Sequence, residues 1–245
     1  MRLETPFPTF APMIPSATFG RKAQAFYSSL SSGLPVPDGV EVLNPYIDPQ
    51  VAELTDVFFR KFYEDEHPRV GIFGINPGRF GGGLTGISFT DPIQLQSACG
   101  IEHHLHMRPE LSSTFVYSVI SEYGGAEAFF RHFFLTALCP LGFTADGKNL
   151  NFYDRKDLEA MVRPFIISSI RAQIDFGLSQ ACCICLGEGI LHKYFTKLNE
   201  EHGWFREIFA LPHPRFILQY RRKQEETHRS GYLETLRSCE EIMNR

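Results

Sequence analysis

No apolar run in the chain approaches the roughly 20 residues that a bilayer-spanning helix needs. The first twenty residues, ending in Phe19-Gly20, lack a basic segment leading into an unbroken apolar stretch. Neither a membrane span nor a signal peptide is therefore expected. Tryptophan is nearly missing, with one residue against 23 phenylalanines. An excess of positive charge is missing too: 24 Lys and Arg against 28 Asp and Glu leave a formal net charge of −4. The surface as a whole does not advertise nucleic-acid binding, although a local basic patch can still supply it. The six cysteines (Cys99, Cys139, Cys182, Cys183, Cys185 and Cys239) make no disulfide framework for 245 residues, and a reducing, cytoplasmic setting is expected. Cys182 and Cys185 spell C-x-x-C, but no second Cys or His pair stands at zinc-ligand spacing. "ACCICLG" is expected to be a buried strand.

Several catalytic signatures are also missing. The glycine-rich stretch "GINPGRFGGGLTGISF", Gly74 to Phe89, has no lysine after its glycines, which excludes a P-loop. Gly81, Gly83 and Gly86 match the letters of a dinucleotide fingerprint, but they lie several residues past the strand end. H-x-E with P-C-x-x-C is absent, which excludes a zinc deaminase. G-x-S-x-G is absent as well, which excludes a serine hydrolase elbow. "HHLH" at His103, His104 and His106 has no carboxylate or Cys partner at good spacing and is assigned to the surface. No metal site is expected.

What is present is a chain of short apolar runs separated by helical stretches. Residues 1–40 hold six of the sixteen prolines and predict an irregular N-terminal arm with one helix near Arg21–Leu30. Val51, Leu54, Phe58 and Phe62 recur at helical spacing behind Asp48 as cap and Pro49 at the first position. "RVGIFGI", "FFLTALCPL", "ACCICLG" and "EIFALPHP" predict four strands, the first a continuous run of the kind buried on both faces. Helices are predicted between and after them, in "TDPIQLQSACG" (capped by Asp91), "SSTFVYSVISEYGG", "AEAFFRHFF", "YDRKDLEAMVRPFIISSIRAQIDFG", "GILHKYFTKLNEEHG" and "ETHRSGYLETLRSCEEIMNR". The expected fold is a three-layer α/β/α arrangement around a central, mainly parallel four-stranded sheet, in one domain over residues 1–245. Sites in such sheets form beyond the carboxyl ends of the strands.

Two polar residues stand at such ends: Asn76 after the first strand and His213 after the last. An amide can orient a water or read a polar ring edge, and Phe89 can stack on a planar ring. The alternative is an Asn-Pro-Gly turn capped by its own amide, with Phe89 in the core. "LPHPRFILQYRRKQ" adds Arg215, Arg221, Arg222 and Lys223, and residues 213–229 hold five Lys or Arg against two Glu. This segment is either a solvated charge run or a phosphate contact beside a base pocket. The interleaved Phe216, Ile217, Leu218 and Tyr220 offer an apolar wedge for a base stack.

With Asn76, Phe89 and His213 in place, the chain resembles the uracil-DNA glycosylase superfamily, most of all its single-strand-selective monofunctional branch. That branch carries G-M-N-P-G, P-F-G and T-G-V-P-F in its first motif. Here these stand as Gly74-Ile75-Asn76-Pro77-Gly78, Arg79-Phe80-Gly81 and Thr85-Gly86-Ile87-Ser88-Phe89. The second motif begins His213-Pro214, "LCPLGFTADGKNL" matches an intervening L-C-P-L-x-F and G-x-N-L, and "NPYIDP" has a counterpart, so the likeness runs in order over about residues 42 to 240.

The resemblance implies that Asn76 orients the attacking water, Phe89 stacks on the flipped base and Gly78 leaves room for base and water. It implies that His213 stabilises charge on the leaving base, while Ile75 and Ala137 complete the base site. Ala137 stands where the family reads the pyrimidine edge with Asn, and Arg215-Phe216-Ile217-Leu218 stands where Ser-Pro-Arg-Asn is usual. A second, bacterial subgroup with a broader base range is the better match. The implied partner is DNA, acted on by a monomer without cofactor and without a lysine nucleophile. The rival is a catalytically silent DNA- or nucleotide-binding member of the same fold.

Overall fold

The computed structural model describes residues 17–244. Of the expected irregular arm, residues 1–16 lie outside the described residues. The remainder opens with α1 (Phe19–Ser28), where Thr18 caps by accepting the Arg21 N–H at 3.3 Å. Strand β1 (Val40–Leu43) follows, and then α2 (Pro49–Phe62), whose Asp48 cap accepts the Gln50 N–H at 2.8 Å. The large phenylalanine content has its use here. Phe58, Phe59 and Phe62 of α2 join Phe19 and Phe26 of α1 in a buried aromatic cluster, where edge-to-face rings add to burial.

Strand β2 (Arg69–Gly74) is buried along its whole length. The glycine stretch then forms a loop and one short helix, α3 (Gly82–Thr85), followed by α4 (Pro92–Ser97), α5 (Leu111–Tyr123) and α6 (Ala126–His132). Strand β3 (Phe133–Ala137) stops earlier than the apolar run in the sequence does, because Leu138 and Cys139 turn away while donating to the Gly74 and Ile75 carbonyls at 3.0 and 3.1 Å. Strands β4 (Gly142–Ala145) and β5 (Lys148–Leu150) form a hairpin that pairs antiparallel with β1. This second, three-stranded sheet is not in the expectation drawn from the sequence. Its turn is Asp146-Gly147, both at positive φ (49° and 68°), the two-residue turn that matches strand twist.

The chain continues through α7 (Lys156–Asp175), β6 (Leu178–Leu186), α8 (Ile190–His202), β7 (Ile208–Leu211), α9 (Pro214–Tyr220) and α10 (Glu225–Met243). The main sheet has the order β3-β2-β6-β7 and every pair in it is parallel. One face (Ile72, Leu135 and Ile184) packs against Val116 of α5, Phe129 of α6 and Leu236 of α10. On the other, Phe73 meets Phe195 of α8 edge-on at 5.1 Å. The architecture is thus α/β/α around a four-stranded parallel sheet, as the sequence predicts. Cys182, Cys183 and Cys185 are buried on β6 and all six cysteines are free. Among the described residues, no helix is long and apolar enough to cross a membrane.

Register sets the position of the site. Gly74 at the end of β2 lies beside Ala137 at the end of β3, and Leu186 lies beside Leu211 at the end of β7. The segments carrying Asn76 and His213 therefore leave the sheet along one edge.

Candidate active site

A cavity of about 780 Å³ opens at that edge. Ile75, Asn76, Gly78, Phe89, Ala137, His213 and Arg215 all line it. Arg221, Arg222 and Lys223 do not; they are exposed beyond the end of α9.

Asn76 does not cap its own turn tightly, since its Nδ2 is 3.4 Å from the Pro77 carbonyl. Its amide bonds to the strand end that follows β5 instead. Nδ2 donates to the Leu150 carbonyl at 3.2 Å, and Oδ1 accepts the Phe152 N–H at 3.0 Å. These two bonds fix which end of the amide is which and leave one lone pair on Oδ1 free to accept.

Phe89 has φ of +56°, a rare conformation for a non-glycine residue. Such strain persists only where neighbours over-determine it. Gly74 supplies part of that constraint: a Cβ there would lie 2.5 Å from the Phe89 ring, so the ring rests on bare backbone. The ring is half-buried and its centroid lies 6.2 Å from that of His213.

His213 is the N-cap of α9, with Pro214 at the first helical position. Its Nδ1 accepts the Arg215 N–H at 3.2 Å. In the neutral ring the proton is therefore on Nε2, which leaves Nε2–H as the donor. Burial, with a smaller contribution from the Arg215 charge, pushes its pKa down to about 4. His213 is then neutral at physiological pH. The cap also explains why a helix occupies a stretch where the sequence suggests only a charged segment. In that helix Ile217 is buried, while Phe216 and Tyr220 are 42% and 61% exposed at the cavity mouth.

Gly78 does lack a side chain beside the cavity, but the space is filled. A Cβ there would lie 2.8 Å from Nδ2 of Asn149, whose Oδ1 accepts the Arg79 N–H at 3.0 Å. Asn149 thus presents Nδ2 at the cavity, carried there by the β4–β5 hairpin. Behind Ala137 lies a buried polar chain. The Tyr27 hydroxyl bonds Thr136 Oγ1 at 3.0 Å, Thr136 donates to Gln173 Oε1 at 2.6 Å, and Gln173 Nε2 donates to the Ala137 carbonyl at 3.5 Å.

Asn149, which the sequence offers with Asn151 as a side chain near the base site, lines the cavity, and so do Lys148, Arg79, Phe80 and Arg108, which sequence reasoning did not assign to it. The Asp146-Gly147 turn signal would have announced the hairpin that carries Lys148 and Asn149. No local pattern announces Arg108. Asp48 serves as the cap of α2, and His103 is tied to the Pro92 carbonyl at 2.7 Å. Among the described residues, no group of three or more His, Cys, Asp or Glu is placed to hold a metal.

Comparison with known proteins finds a related family and a related structure. The profile of the Uracil DNA glycosylase superfamily matches residues 60–237. The crystal structure of wild-type Pedobacter heparinus SMUG2 is similar at a TM-score of 0.88 and 40% sequence identity, over 91% of this chain and 99% of that one. No curated protein matches the sequence.

Proposed function

Because the chain belongs to the uracil DNA glycosylase superfamily, within it to the SMUG-like branch, and is thereby a DNA glycosylase, we propose that it flips uracil or a related deaminated or oxidised base out of DNA and releases it by hydrolysis, leaving the strand intact. The bond to be cut lies inside the base stack, and extruding the nucleotide costs a few kcal/mol, least for a damaged or unpaired base. Stacking of the flipped base on Phe89 offsets part of that cost. Phe216 and Tyr220, exposed at the mouth, are the side chains placed to fill the gap left in the stack.

Cleavage leaves positive charge on the sugar and negative charge on the departing base. A fixed donor where that negative charge develops is worth about 3 kcal/mol, and the Nε2–H of neutral His213 is that donor. The sugar cation is reactive enough that the attacking water needs orientation more than deprotonation. The free lone pair of Asn76 Oδ1 accepts one water proton and aims the oxygen. The single observation that carries this reading is the His213 cap, since it fixes Nε2–H as the ring's free donor beside a fixed amide and an aromatic wall.

Ile75, Gly78 and Ala137 complete the base site. Ala137 removes an amide that both donates and accepts, so the pocket discriminates less than a strict uracil site. Asn149 Nδ2 supplies one donor in return. Arg215 at the cavity, with Arg221, Arg222 and Lys223 further along the segment, holds the DNA backbone. Water, and no lysine, is the nucleophile in this reading, so release leaves the strand uncleaved. The reaction uses only water, and one copy of the chain in the cytoplasm suffices. The test is incubation with oligonucleotides carrying uracil, hydroxymethyluracil, xanthine or hypoxanthine. Alkali-labile sites should form on uracil and at least one other base. DNA binding without any such site would mark a catalytically silent binder instead.

A further inference from the structure

A second cationic cluster stands at the cavity, apart from the α9 segment. Arg108, in the irregular stretch before α5, places its guanidinium 3.5 Å from the centre of the Phe80 ring. Arg79 approaches the same ring at 5.2 Å. Both line the cavity, as does Lys148. All three cations are exposed, and none has an acidic partner among the described residues. Among the described residues, the only acidic one on the cavity wall, Glu110, is occupied elsewhere. Its two carboxylate oxygens accept the Ser112 hydroxyl at 3.2 Å and the Ser113 N–H at 3.0 Å as the cap of α5. Arg60, Arg155, Arg163 and Arg229, by contrast, each pair with a carboxylate. The rim thus brings three cations to one cavity and seats one of them, Arg108, directly on an aromatic face.

The stack has a physical consequence. A guanidinium lying on an aromatic face is held flat while its N–H edges stay free, so little rotamer freedom remains to be lost when an anion arrives. The edges of a planar fork suit a phosphate in two-point contact. The Arg79 backbone is tied to the hairpin as well, through its N–H on Asn149 Oδ1 at 3.0 Å.

We propose that Phe80, Arg108, Arg79 and Lys148 form a preorganised phosphate clamp that grips the DNA strand beside the flipped nucleotide, independently of the α9 segment. The clamp rests on the glycosylase reading above for its partner. It implies that a ring without charge, Phe80, contributes to affinity for a polyanion.

The experiment measures binding of the full chain to undamaged single- and double-stranded oligonucleotides between 50 and 200 mM salt, alongside base release from uracil DNA. Undamaged DNA separates the two claims. If wild-type protein releases no base yet the clamp variants below change its DNA binding as expected, the glycosylase reading fails and the clamp stands. Each phosphate contact contributes about 0.9 to the log–log slope on duplex. Arg79→Ala/Arg108→Ala should therefore flatten the slope by about 2, making the affinity loss over that salt range about tenfold shallower. Phe80→Ala keeps every charge and should weaken binding severalfold with the slope unchanged. Arg221→Ala/Arg222→Ala/Lys223→Ala serves as the comparison for the α9 segment. A wild-type slope and affinity in Arg79→Ala/Arg108→Ala, in a protein of unchanged thermal stability, would overturn the clamp. So would a Phe80→Ala protein that binds as tightly as wild type.

Discussion

Replacing His213 with alanine removes two interactions at once, and their sizes can be separated. The first is the Nε2–H donor at the cavity, fixed by the Nδ1 contact to the Arg215 N–H at 3.2 Å. Loss of one such preorganised donor costs about 3–4 kcal/mol in the transition state, or roughly 10²–10³ in rate. The second is the cap of α9, worth about 1 kcal/mol of stability. His213→Asn keeps an acceptor for the cap and an amide donor, so it should restore stability while recovering only part of the rate. The protonation state gives an independent check. With its pKa lowered from 6.5 to about 4, His213 is neutral from pH 5 to 8, and single-turnover base release should be level across that window. The stability consequence has the opposite sense to a salt-bridged histidine. The folded pKa lies below the unfolded one, so acid favours the unfolded chain. The contribution is lost as pH falls from 6.5 towards 4 and amounts to ~3 kcal/mol at most, less because the ring is partly exposed. A rate that falls above pH 6.5 in wild type, with that fall absent in His213→Asn, would show that imidazolium is the active form and refute the assignment.

Other perturbations test neighbouring parts of the site. Gly74→Ala puts a methyl 2.5 Å from the Phe89 ring, which cannot retreat easily from φ of +56°. It should cost about 1–3 kcal/mol in thermal unfolding and raise KM for uracil DNA, and an unchanged KM would show that the ring does not contact the base. Ala137→Asn returns an amide to the β3 end and should narrow the base range towards uracil in matched-oligonucleotide kinetics; a wild type that already ignores every base but uracil would remove the reason for the change. Arg221→Ala/Arg222→Ala/Lys223→Ala should weaken DNA binding and flatten its salt dependence, whereas identical binding at two salt concentrations would identify an ordinary solvated face.

Asn76 and His213 are legible in the sequence because each follows a short apolar run of strand length, and parallel strands deliver their ends to one edge. Phe89 is harder to place, since nothing in the letters reports its positive φ or the bare Gly74 beneath its ring. The β4–β5 hairpin has a local signal, Asp146-Gly147, yet its three- and four-residue strands are too short for an alternating pattern to stand out. Its consequence, Asn149 resting on Gly78 and meeting the Arg79 N–H from 70 positions away, is a tertiary contact with no periodicity behind it. The α9 helix is masked by its own charges: Arg215, Arg221 and Arg222 suggest a solvated run, while the His213-Pro214 cap is what starts the helix. Arg108 reaches Phe80 from an irregular stretch, the part of a chain where sequence constrains geometry least.

The most direct measurement is the free base itself, quantified by mass spectrometry after single-turnover incubation with uracil-containing DNA. Wild-type protein should release one base per damaged site and leave the strand unbroken until alkali is added. Asn76→Ala and His213→Ala should each retain DNA binding while the rate falls by about 10² or more. Wild-type protein that binds this DNA and releases no uracil, or variants that release it at the wild-type rate, would contradict the account.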